Sequence, residues 1–61
     1  SIEEAVQMST RVYLISPRTG KIDKVVDIEM DYPRNLAVKQ DPRFIQYIGD
    51  IHSVFHGYGV L

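Results

Sequence analysis

The side chains of this sequence that are able to do chemistry fall into three groups, and their spacing decides what each group could do. His52 and His56 stand four apart, the separation at which two imidazoles on one helix face can share a metal ion. A usable centre needs a third ligand, and Asp50, the nearest acid in sequence, points away from the pair by the same angular count. The pair therefore reads as ring edges bordering an apolar core, with His56 in a last helical turn complementing the helix dipole. No metal and no cofactor are expected.

The second group is the turn Ser16-Pro17-Arg18-Thr19-Gly20-Lys21. Two cations, two hydroxyls and a glycine in one turn could grip a phosphate, which makes Arg18, Lys21 and Lys24 the candidate anion-binding residues. The stretch is not a P-loop, because the glycine spacing ahead of Gly-Lys is missing and a β-turn stands where a helix would have to start. Turns also select these residue types for backbone reasons alone. The third group is Asp23, Asp27, Glu29 and Asp31. Along a flat strand such carboxylates are too spread for calcium, so they read as a solvated face or a charged guard on an edge strand. No serine or cysteine nucleophile has a triad signature around it, and a chain this short can hardly enclose a pocket for paired-carboxylate catalysis. An enzyme is not expected.

The elements that position these groups can be read from start and stop signals. Asp41 to Gly57 carries the clearest set: Asp41 can cap the first N–H groups and Pro42 suits the first helical position, while Gly57 supplies a stop. At about 100° per residue, Phe44, Tyr47, Ile48, Ile51, Val54, Phe55 and Tyr58 share one side, with Gln46, Asp50 and Ser53 opposite. Strict alternation would instead put Gln46 and Asp50 beside Phe44 and Ile48, so a strand is rejected although the residue types favour one. Ser1 to Met8 contains a Ser-x-x-Glu capping box and reads as a short leading helix. Arg11 to Ile15 is β-branched and aromatic, the turn at 16–20 follows, and Lys21 to Met30 returns. On that return Ile22, Val26, Ile28 and Met30 are expected inward with Lys24 the exception, and Asp23, Asp27, Glu29 and Val25 outward. Tyr32-Pro33 breaks the strand, and residues 33–40 read as one or two helical turns.

The whole chain, residues 1–61, is expected to be a single small α+β domain with the 42–56 helix packed on the hairpin. Its 7 basic and 8 acidic residues give a formal net charge of −1, so no overall field draws it to nucleic acid or to an anionic membrane. At 44% hydrophobic and 25% charged residues, without cysteine, it belongs with globular chains rather than disordered ones. A cytoplasmic, membrane-free location is the default.

The apolar side of the 42–56 helix covers about half the cylinder, more than the ~100° stripe of a helix resting on one sheet. Chains under roughly 70–80 residues seldom gain more than about 3–5 kcal/mol from one core. Both points lead to the expectation of a non-enzymatic protein–protein interaction module, regulatory or structural, that self-associates as a homodimer or docks on another protein. Its contact residues would be Ile45, Tyr47, Gly49, His52 and His56. The alternative of another class is a small nucleic-acid-binding protein using the hairpin tip.

Overall fold

The computed structural model describes residues 1–59. Ser1 opens helix α1 (Ile2–Met8) as the capping box requires, its Oγ accepting from the Glu4 N–H at 3.2 Å. Strands β1 (Arg11–Ile15) and β2 (Ile22–Asp27) form an antiparallel two-stranded sheet. Between them the Ser16 N–H donates to Lys21 O and the Gly20 N–H to Ser16 O, both at 2.9 Å. Gly20 takes φ +69°, the left-handed conformation that the turn asks of it. A 3₁₀ turn spans Leu36–Gln40, capped by the Asn35 side chain, which accepts from the Ala37 N–H. It meets the expectation of helical turns in that segment. Helix α2 (Pro42–Tyr58) follows, with Asp41 as N-cap and proline in its first turn.

Two boundaries differ from expectation. Helix α2 runs through Gly57 and stops at Gly59, whose φ of +79° lets its N–H reach back to His56 O and Phe55 O. The two glycines are two residues apart, and beyond the first of them Tyr58 is held by its ring against Phe55 and its hydroxyl on Asp23. The return strand is shorter than 21–30, ending at Asp27, although Ile28 still donates to Thr10 O at 2.9 Å.

The strand register explains a third difference. Arg11, Val12, Tyr13 and Leu14 face Asp27, Val26, Val25 and Lys24, but Ile15 faces Ile22. One extra residue, Asp23, is accommodated in β2 as a bulge, and a bulge reverses the parity of everything beyond it. Ile22 is thereby turned out beside Ile15, contrary to the expectation that it faces inward, while Val26, Ile28 and Met30 are buried as expected.

The core consists of Val6, Leu14, Val26, Ile28, Met30, Phe44 and Ile51. Helix α2 crosses the inner face of the hairpin, and α1 packs against both α2 and β1. The α+β architecture, with the late helix covering the hairpin, is the one the hydrophobic pattern implies.

Candidate functional site

The end of the hairpin, the loop after it and the two helix termini meet around one side chain, Arg34. Helix α1 ends on an extended Ser9 without a left-handed residue, so its last carbonyls have no backbone cap. The Arg34 guanidinium supplies the donors instead. Its Nη1 donates to Val6 O at 3.0 Å, Ser9 O at 2.7 Å and Gln7 O at 3.3 Å. Nη2 donates to Met30 O at 2.7 Å and Ile28 O at 3.3 Å, and Nε also reaches Met30 O. The Tyr32 ring lies 4.0 Å from the guanidinium carbon and stacks on it. No motif or spacing in the sequence singles out Arg34. The available signal was the missing C-cap of α1, which had to be met by a donor from elsewhere.

Arg43 makes a second junction. Its backbone N–H and guanidinium both donate to the Asp41 carboxylate, and Nη1 donates to Glu29 O at 3.1 Å. The Arg43 side-chain bonds, then its backbone N–H, hold the Asp41 carboxyl below its usual range. The cap's stabilising effect is therefore complete above the ordinary aspartate value and fades only as pH falls through that lowered one. Between the two arginines lies an open depression of about 650 Å³, bordered by Asp31, Pro33, Asn35 and Val38. Neither guanidinium is free to receive a phosphate there, since one is spent on carbonyls and the other on Asp41.

The expected site residues are dispersed into different roles. Ile45 is 61% exposed, and Gly49, His52 and His56 are exposed along the same flank of α2. Tyr47 leaves that group: it is half-buried, and its hydroxyl accepts from the Glu29 N–H at 2.9 Å, tying α2 to the segment that follows β2. A side chain placed at Gly49 would meet nothing within 4 Å among the described residues, so no backbone uses that gap. No three histidine, aspartate or glutamate side chains among the described residues converge to hold a metal ion. At the hairpin tip both hydroxyls shape the turn, with Ser16 Oγ accepting from the Arg18 N–H and Thr19 Oγ1 from the Lys21 N–H. Lys24 lies opposite Leu14, on the other face from the outward pair Tyr13 and Val25. Arg18, Lys21 and Lys24 thus do not form one cradle.

Of the acidic strip, Asp27 pairs with Arg11 at 2.8 Å. The Tyr58 hydroxyl donates to the Asp23 carboxylate, and that bond first, with burial second, pushes the phenol up to about 12. The contact's contribution is whole below the ordinary tyrosine value and is lost as pH rises through the raised one.

No family model matches the chain, and no solved structure matches it. Among curated proteins it is 34% identical over 62 aligned positions to the nitrate import ATP-binding protein NrtD of Synechocystis. That match takes in 92% of this chain and 23% of the relative. The taurine import ATP-binding protein TauB of Rhizobium johnstonii is 32% identical over 63 positions, again 92% of this chain and 23% of the relative. A Brucella melitensis protein provisionally named as ATP-binding is 30% identical over 56 residues, 90% of this chain and 24% of its own length. The chain spans about a quarter of the length of the curated relatives it matches.

These likenesses overturn the expectation of a self-associating interaction module. The relatives are named for binding ATP, none for a protein-interaction or dimerisation role. They also conflict with the expectation that the chain has no part in an enzyme, through a stretch that is short and about one-third identical. The wide apolar arc of α2 is not surplus surface, because α1 and the hairpin cover most of it: Tyr47, Ile48, Val54 and Phe55 all pack on the core. None of the helices among the described residues is long and apolar enough to cross a membrane.

Proposed function

We propose that this chain works as part of an ATP-binding protein, as the α+β unit that accompanies a nucleotide site without itself supplying the phosphate grip. One observation carries the reading: nine-tenths of the chain aligns with proteins named for ATP binding, yet accounts for only about a quarter of each. The division of labour follows from chemistry. Holding a triphosphate takes a run of backbone N–H groups at a glycine-rich loop leading into a helix, together with an uncommitted cation. Here the Gly20-Lys21 turn leads into a strand, and Arg34 and Arg43 are bonded within the fold. The phosphate contacts then belong to the other three-quarters of such a protein. A cytoplasmic location goes with this reading, since ATP is supplied there.

The test is a chimera in which the matched quarter of the Synechocystis nitrate import ATP-binding protein is replaced by these 61 residues. The chimera is expected to bind MgATP as its parent does in isothermal titration, and the 61-residue chain alone is expected to show no binding. A chimera that folds by circular dichroism but no longer binds MgATP overturns the reading. So does an isolated chain that binds it as tightly as the parent.

A further inference from the structure

We infer that the outer face of the β-hairpin is the seat on which the remainder of an ATP-binding protein packs, an inference that rests on the proposed function above. Both helices of the chain lie on the inner face, over Leu14 and Val26. On the opposite face Tyr13 stands across from Val25 and Ile15 across from Ile22. These four side chains are 52%, 45%, 48% and 57% exposed. A two-stranded sheet meant to face water carries polar residues on its wet side; this one carries an apolar quartet. The bulge contributes directly to that pattern. Were Asp23 paired in register and not bulged out, its carboxylate would stand across from Ile15; with the bulge, that position holds Ile22. Asp23 is bonded to Tyr58 of α2 instead.

The chemistry of the occupant follows from the charges around the quartet. At one end Arg11 and Asp27 neutralise each other at 2.8 Å, and Lys24 belongs to the other face. The face is therefore neutral as well as apolar, which suits a neutral apolar protein surface and offers nothing to a polyanion or to lipid headgroups. No described element of this chain covers it. In the relatives about three-quarters of the polypeptide lies outside the match, which is ample chain to supply the cover.

Hydroxyl-radical footprinting of Tyr13 reads the contact without any substitution. Tyr13 is expected to oxidise several-fold more slowly in the chimera than in the isolated 61-residue chain, and equal rates would overturn the inference. The triple variant Tyr13→Thr, Ile15→Thr, Val25→Thr keeps strand-forming residues and is expected to lower the chimera's melting temperature and weaken its MgATP binding while leaving the melt of the isolated chain nearly unchanged. A substituted chimera that melts and binds MgATP like the unsubstituted one removes the docking face but leaves the proposed function standing. Failure of the unsubstituted chimera to bind MgATP strikes the proposed function itself. An isolated chain that is a dimer in light scattering, and a monomer as the triple variant, would also overturn the inference, because the face would then serve self-association.

Discussion

Arg34 does for α1 what Gly59 does for α2. A left-handed glycine lets α2 close on its own carbonyls, whereas α1 leaves Val6 and Gln7 carbonyls to be met by a side chain 28 and 27 residues away. The planar fork of arginine suits this, because one nitrogen faces α1 and another faces the end of the hairpin at Met30. Lysine carries its donors at a single point and cannot bridge both. Arg34→Lys is accordingly expected to cost about 1–3 kcal/mol, the usual penalty for stranding part-buried polar groups. An unchanged urea midpoint would contradict that account of how α1 is anchored.

Among the elements, α2 shows how a helix made largely of strand-favouring residues is held. Asp41 and Pro42 begin it, Phe44 and Ile51 bury its face, and Tyr47 and Tyr58 bond it to Glu29 just after β2 and to Asp23 within β2. Gly49 weakens it, since a glycine in mid-helix costs conformational entropy without a compensating contact. A Cβ there has open space, so Gly49→Ala is expected to raise stability by about 0.5–1 kcal/mol. Thermal unfolding checks it, and a lower melting temperature would mean that the glycine has a close neighbour after all. The hairpin is governed differently. Its residue types mark it as β without ambiguity, but which face Ile22 joins depends on whether Asp23 bulges, and alternation counted along one strand carries no information about its partner's register.

At the scale of the molecule, seven buried apolar side chains among the described residues make the core, and Ile51 is 1% exposed. Truncating a buried isoleucine to alanine costs about 2–5 kcal/mol, comparable with the roughly 3–5 kcal/mol that a core in a chain of this size supplies. Ile51→Ala is therefore expected to leave the isolated chain largely unfolded by circular dichroism at 25 °C, and retention of a cooperative native melt would show that stability comes from elsewhere. The 35 × 18 × 15 Å extents describe an elongated body. The helices cover one side of the sheet, and the apolar quartet remains on the other.

The residue order by itself determined where the two helices start, which face of α2 turns inward, and that the glycine spacing of a phosphate loop is missing ahead of Gly20-Lys21. Those are local properties, set by capping, periodicity and turn chemistry within a few residues. Only the tertiary structure decided the parity of β2, the commitment of Arg34 to carbonyls of α1, and the removal of Tyr47 from the exposed flank. Each of these depends on a partner in another segment, 7 to 28 residues away, whose position no local pattern encodes. The misjudged function has the same root: the width of an apolar arc counts greasy side chains, but whether they are surplus depends on what the rest of the fold lays over them.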